Sequence, residues 1–276
     1  MTTTPPNPQS PVIIITGASA GIGEAAARQL AGEARLIIVG RSAATKKIAE
    51  DIGAEYFLAD YADLTSVRQL AADLLQACPH IDLLINNAGG VMKSIRNTKD
   101  GFEETFQVNY LAQFVLTNLL MDRLIECGAG IINTSSGANL GAQPTLANLQ
   151  SARSSFTAYS NSKLLNLMHA KELSRRYADR GVVAVSFHPG VVATSFAKDF
   201  TGPVGWLYNS VLTKILKTPA QGADTLVWLA RNRGLWQPGA YYAKRHVARS
   251  HSFGHNPANI RAVWELTEQL LNEPAK

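Results

Sequence analysis

The chain has 276 residues, 46% of them hydrophobic and 17% charged, with a formal net charge of +5. This is globular composition, long enough for one large domain with a deep pocket, and it excludes a disordered or low-complexity polymer. The basic residues are scattered, with Arg175-Arg176 and Lys244-Arg245-His246 as the densest groups, so no dedicated nucleic-acid tract is indicated.

Residues 1–11 are rich in Thr, Pro and Asn without an apolar core, which predicts a disordered lead-in rather than a secretory signal. The β-branched run 12–15 predicts a first strand, followed by a helix over 21–31. Strands are then expected at 35–40, 55–59, 81–86, 130–135 and 182–188, with helices over 46–51, 66–76, 102–126 and 156–177. A further helix starts near Thr218-Pro219, a last strand covers 239–242, and a helix over 256–271 closes the chain. Continuous rather than alternating apolar runs predict strands buried on both faces. Strand and helix in repeated alternation predict an α/β fold: a doubly wound, Rossmann-type parallel sheet flanked by helices on both faces, as a single domain over 12–276.

Between the first strand and its helix lies Thr16-Gly17-Ala18-Ser19-Ala20-Gly21-Ile22-Gly23. Glycines there permit a tight turn and close backbone approach to a pyrophosphate, and the helix N-terminus supplies N–H groups and a positive dipole end. The second strand ends in Gly40-Arg41-Ser42, with no carboxylate to bind a ribose 2′-OH. Arg41 offers charge-assisted bonds to a 2′-phosphate, so NADP(H) is expected over NAD(H). The plain alternative for Arg41 is a solvated surface side chain.

The remaining motifs follow in order. TGASAGIG has TGxxxGxG spacing; Asn86-Asn87-Ala88-Gly89 is an NNAG; Asn109 sits in FQVNYLAQFVLTNLL; Ser136 follows the fifth strand. Tyr159 and Lys163 form YxxxK, and Pro189-Gly190-Val191-Val192-Ala193-Thr194 reads PGxVxT. With these motifs the chain resembles the short-chain dehydrogenase/reductase family over about residues 11–272. SKLLNLMHAKELSRR, HPGVVATSF and the long stretch between Ser136 and Tyr159 resemble the retinol-dehydrogenase-like and light-independent protochlorophyllide-reductase-like members. The resemblance implies catalytic roles for Asn109, Ser136, Tyr159 and Lys163. It implies cofactor contacts from Gly17, Ser19, Ala20, Gly21, Ile22, Gly23, Arg41, Ser42, Asp60, Tyr61, Asn87, Ala88, Gly89, Tyr159, Lys163, Pro189, Gly190, Val192 and Thr194. Asp60 would meet the adenine amino group, and its plain alternative is a helix cap that Asp63 or Thr65 would fill as well.

The chemistry has a physical basis. Hydride transfer to a carbonyl leaves an oxyanion that a positioned acid must protonate. A free tyrosine titrates near ~10, and a neighbouring ammonium favours its phenolate. Tyr159 and Lys163, four apart on a helix, share one face. Ser136 would polarise the substrate oxygen, and Asn109, by resemblance, would hold a water linking Lys163 to solvent. Taken singly, a helical Tyr, a Lys one turn on and a Ser after a strand are ordinary packing, surface and capping residues. Jointly, between a glycine loop and Pro189-Gly190, they point to an oxidoreductase moving a hydride between NADP(H) and a carbonyl/alcohol pair, with reduction favoured.

Residues 191–217 carry Phe196, Phe200, Trp206, Tyr208 and several aliphatic side chains beside Lys198, Lys214 and Lys217. They read as a lid, a lipophilic wall, a membrane-surface or subunit contact, or a plain core helix. The alternative function is a catalytically silent NADP(H)-binding regulator, against which the presence of all four candidate catalytic residues argues. No nucleic-acid partner and no metal are expected, because His246, His251 and His255 lack ligand spacing. No run of 18 apolar residues predicts a transmembrane helix. Cys78 and Cys127 make no disulfide framework, which predicts a cytoplasmic protein. Homo-oligomers are usual in the family.

Overall fold

The computed structural model describes residues 10–192 and 217–272. The expected lead-in therefore lies almost wholly outside the described residues, as does the body of the 191–217 segment.

Seven strands form a parallel sheet: β1 (Val12–Thr16), β2 (Arg35–Gly40), β3 (Glu55–Leu58), β4 (Leu83–Asn86), β5 (Gly130–Thr134), β6 (Val183–His188) and β7 (Tyr241–Ala243). An eighth, β8 (His246–Val247), joins antiparallel at the edge, giving the order β3-β2-β1-β4-β5-β6-β7-β8. The chain runs outward from β1 to β3, returns, and runs outward again from β4. The switch point between β1 and β4 opens a crevice at the carboxyl ends of the strands, where ligands bind in such sheets.

Alternation along each strand sends neighbouring side chains to opposite faces. Ile14, Ile37, Val39, Leu84 and Ile131 pack on one face under α3 (Leu64–Ala77) and α7 (Ser155–Tyr177). Ile13, Ile15, Ile38, Ile85 and Val185 pack on the other under α1 (Gly21–Leu30) and α8 (Pro219–Arg231). α2 (Ala43–Ile52) lies on the second face as well, and α9 (Pro257–Asn272) on the first. Every residue of β1, β4 and β5 is buried, as the unbroken apolar runs predict. α8 begins with a capping box between Thr218 and Gln221 and with Pro219 in its first turn.

Two expectations are corrected. The stretch 102–126 is not one helix. It comprises α4 (Glu104–Phe106), a π-helical segment (Gln107–Leu111), α5 (Ala112–Leu119) and α6 (Met121–Glu126). The Ala112 N–H reaches back five residues to Gln107, which inserts a bulge into the ladder. Between α5 and α6, Leu120 flattens to ψ −5°. The last strand lies at Tyr241–Ala243 rather than 239–242, and it turns back into β8 through Lys244 and Arg245, both at positive φ. Hairpin turns of this kind usually carry Asn or Gly, so no local signal marked it.

Candidate active site

The cofactor wall is built from strand ends. Thr16 closes β1, and its hydroxyl accepts the N–H groups of Asn87 and Ala88, each at 3.0 Å. The Asn87 amide donates to the carbonyls of Thr16 (3.0 Å) and Gly17 (3.2 Å), while its oxygen accepts from the Thr134 hydroxyl at 3.3 Å. Asn87 thus ties the glycine loop to β5. The loop is so close to β4 that a Cβ at Gly17 would sit 2.6 Å from the Ala88 Cα. One at Gly23 would sit 2.4 Å from the Gly17 carbonyl oxygen. Only glycine fits either position. The N-cap of α1 is Ala20, whose methyl group cannot cap it, so the amides of the first turn are left for an incoming anion. Ser19 lies against Gly40, which brings this loop beside the end of β2. A bare cradle, an uncapped helix N-terminus and a switch-point crevice fit a dinucleotide pyrophosphate.

At the end of β2, Arg41 and Ser42 are exposed. Ser42 is the N-cap of α2, yet its hydroxyl makes no capping bond, and the first turn of α2 holds no acidic residue. Asp60, after β3, is exposed and accepts from the Ala62 N–H at 3.0 Å, whereas α3 is capped by Asp63. Tyr61 is 6% exposed with its ring in the core, so it can offer a nucleotide only its backbone.

The reaction wall centres on α7. Tyr159 and Lys163 are 7% and 4% exposed, and the Lys163 Nζ stands 5.6 Å from the Tyr159 ring centroid. Nζ donates to the Thr134 carbonyl at 3.1 Å. Burial pulls the Lys163 ammonium down from 10.5 to about 8, because a charged form loses hydration there. Asn109 lies inside the π-helical segment. Its oxygen accepts from the Gly90 N–H and its amide donates to the Gly90 carbonyl, both at 2.8 Å. The same amide reaches the Ser162 hydroxyl at 3.1 Å, and that hydroxyl donates to the Tyr159 carbonyl at 2.8 Å. A Cβ at Gly89 would lie 2.7 Å from the Asn109 oxygen and 3.4 Å from the Lys163 Nζ. Gly89, Asn109 and Lys163 therefore meet at one point.

Ser136 starts the 3-10 turn Gly137–Gly141, and its Oγ accepts from the Ala138 N–H at 3.2 Å. That bond leaves the hydroxyl proton to donate elsewhere. Beyond β6, Pro189 and Gly190 lead to Val192, which bridges to Lys217 and touches Gly222. Gly222 also approaches Ile22, so the end of β6 lies beside the first turn of α1. Thr194 lies outside the described residues. Leu140, Phe156 and Val191 are 59%, 45% and 42% exposed, and each adjoins a site motif in sequence.

Residues to which the motifs assigned no role complete the site. Thr16 and Ser162 act as above, and the Ser135 hydroxyl donates to the Lys163 carbonyl at 2.7 Å. Their signal would have been polarity at positions where a strand end or helix face must be buried.

The chain belongs to the short chain dehydrogenase family, whose pattern matches residues 11–203. Within that family it is retinol dehydrogenase-like. It is 36% identical over 277 residues to retinol dehydrogenase 11 of Mus musculus, covering 95% of this chain and 87% of the relative. It is also 36% identical over 276 residues to a protein of Streptomyces sp. (strain C5) named for daunorubicin C-13 ketoreductase, covering 96% and 93%. A crystal structure of an uncharacterised protein from Mycobacterium Paratuberculosis superposes with a TM-score of 0.76 at 29% identity, covering 98% and 97%. The chain is thus an oxidoreductase that acts on CH–OH groups of small molecules with a nicotinamide cofactor. Among the described residues, no helix is long and apolar enough to cross a membrane.

Proposed function

We propose that the protein is an NADP(H)-dependent reductase of lipophilic carbonyl compounds that works in the cytoplasm. The observation that carries the cofactor choice is the end of β2. An exposed guanidinium, an uncommitted N-cap hydroxyl and a helix N-terminus without acidic residues converge there, at Arg41 and Ser42. A 2′-phosphate would satisfy all three, whereas a ribose 2′-OH calls for a carboxylate. Reduction follows because cells hold NADP mainly in its reduced form. Exposed Leu140, Phe156 and Val191 beside the site motifs favour an apolar substrate. One relative is named for reduction of a ketone and the other for the alcohol retinol.

The cofactor, when bound, supplies the hydride. Ser136 donates its free proton to the substrate oxygen and polarises the carbonyl. Tyr159 delivers the proton that converts the developing oxyanion to an alcohol. The Lys163 ammonium beside the ring stabilises the phenolate left behind. With its burial-lowered affinity for a proton, Lys163 exchanges protons near pH 8. Asn109 holds Gly90 and Ser162 in place around the lysine.

The test is titration with NADPH and NADH, then loss of nicotinamide absorbance against a carbonyl panel. Arg41→Asp should reverse the preference, weakening NADPH by about 10²-fold, or ~2.7 kcal/mol. An unchanged ratio in that variant rejects the NADP(H) assignment. Tight binding without turnover of any carbonyl favours the silent regulator instead.

A further inference from the structure

The Ser136–Gly137 peptide is held by both of its edges. Its carbonyl accepts from the Asn139 side chain at 2.6 Å and from the Asn139 backbone N–H at 3.1 Å. Its N–H donates to the Nδ1 of His188 at 2.9 Å. Asn139 is itself fully buried and braced: its amide also reaches the Tyr241 hydroxyl at 3.2 Å, and its oxygen accepts from the His251 N–H at 2.9 Å. A peptide gripped at the C=O and at the N–H cannot rotate about its flanking bonds. The direction of the Ser136 Cα–Cβ bond is set with it.

His188 stands at the end of β6, immediately before Pro189-Gly190. We propose that His188 is a positioning residue for catalysis, whose Nδ1 holds the Gly137 amide and thereby aims the Ser136 hydroxyl at the substrate oxygen. It does not touch substrate in this role; it acts through the peptide that follows the serine.

Three observations support it. First, the bond assigns the tautomer: Nδ1 accepts, so the ring proton sits on Nε2. Second, burial, aided by the positive charge of Lys217, lowers the imidazole to about 4 and keeps it neutral, so the acceptor persists at physiological pH. Third, position 137 is bare where the ring lies over it. A Cβ there would be 3.3 Å from Nε2 and 3.4 Å from Cε1, tighter than ordinary contact. The same imidazole also links β6, which leads to the Pro189-Gly190 cofactor segment, to β5, which leads to the serine. Both reacting partners are thereby registered to one ring.

The inference rests on the family's carbonyl/alcohol chemistry and not on the choice between NADP(H) and NAD(H). The experiment compares the wild type with His188→Leu, His188→Asn and Gly137→Ala. The probe is retinal with NADPH or NADH, or retinol with the oxidised cofactors, in whichever pairing the wild type turns over. Misaiming a catalytic group by about an ångström costs ~10²-fold. His188→Leu should therefore lower kcat by about that factor, with KM and cofactor Kd nearly unchanged and Tm lowered only slightly by the unpaired Gly137 N–H. His188→Asn, whose short amide can still accept from Gly137, should recover most of the loss, and Gly137→Ala should lower kcat while keeping the imidazole. Full kcat in His188→Leu overturns the proposal. So does a loss in which kcat and Tm fall together and asparagine rescues neither. A wild type that binds cofactor but turns over neither retinal nor retinol rejects that substrate pair and not the reductase reading. Nitrogen NMR of His188 then decides the present one: a proton on Nδ1 rather than Nε2 overturns it.

Discussion

The two walls of the cleft are made in opposite ways. The cofactor wall is defined by side chains that are missing: no Cβ at Gly17 or Gly23, no cap at Ala20, no carboxylate at Arg41-Ser42. The reaction wall is defined by polar side chains that are buried and partnered: Asn109 on Gly90 and Ser162, Lys163 on Thr134, the Ser136–Gly137 peptide between Asn139 and His188. Binding and chemistry therefore fail by different routes. Filling the first wall blocks access by steric overlap. Removing a partner from the second leaves a polar group unsatisfied and a reacting atom misplaced.

The largest effect should come from the reaction wall. Tyr159→Phe removes the proton donor and keeps the ring, so kcat should fall by about 10³-fold or more while NADPH affinity stays within a few-fold. Stopped-flow turnover beside a fluorescence titration separates the two. A parallel loss of binding would mean that the walls are not independent.

Next comes the energetic cost of burying Lys163. Its folded-state proton affinity is lowered from 10.5 to about 8, so between those values the unfolded chain holds a proton that the folded chain has released. Stability from this group therefore rises as pH rises from about 8 towards 10.5, and below 8 the full penalty is present. The expected gain is about 3 kcal/mol at most. Urea denaturation of the cofactor-free protein at pH 7.5 and pH 10 should show it relative to Lys163→Met, which lacks the titrating group. Equal pH dependence in the two proteins would contradict the buried-ammonium picture.

Smaller still, and opposite in kind, is Gly23→Ala. Its methyl would lie 2.4 Å from a backbone oxygen and 2.5 Å from the Asn87 amide. The loop must shift, and NADPH should bind about 10²-fold more weakly, ~2.7 kcal/mol, with kcat at saturating cofactor largely kept. A loss of kcat with intact binding would reverse the division between the walls.

Much of the cofactor wall was legible in the sequence because it is local. TGASAGIG encodes turn, close approach and helix start within one short stretch, and β2 ends where its apolar run ends. YxxxK was legible for the same reason, since one helical turn puts both residues on one face. The partners of the reaction wall were not. Asn109 meets Gly90 across 19 positions, Lys163 meets Thr134 across 29, and Gly137 meets His188 across 51. The bulge around Asn109 left no mark either, because a π-helical turn uses the same residue types as the helix it interrupts.

The alternation of strand and helix, the glycine loop, the Arg41 strand end and the order of the motifs could be read along the chain, since each is a matter of backbone freedom or periodicity over a few residues. How Asn109 is turned, what Lys163 leans on, how the Ser136–Gly137 peptide is gripped and where the sheet ends in β8 emerge only in the packed fold. Those depend on which buried polar groups find one another after the chain has folded. A hydrogen bond between distant residues is chosen by the packed geometry of the sheet and helices and not by the neighbours of either residue along the chain.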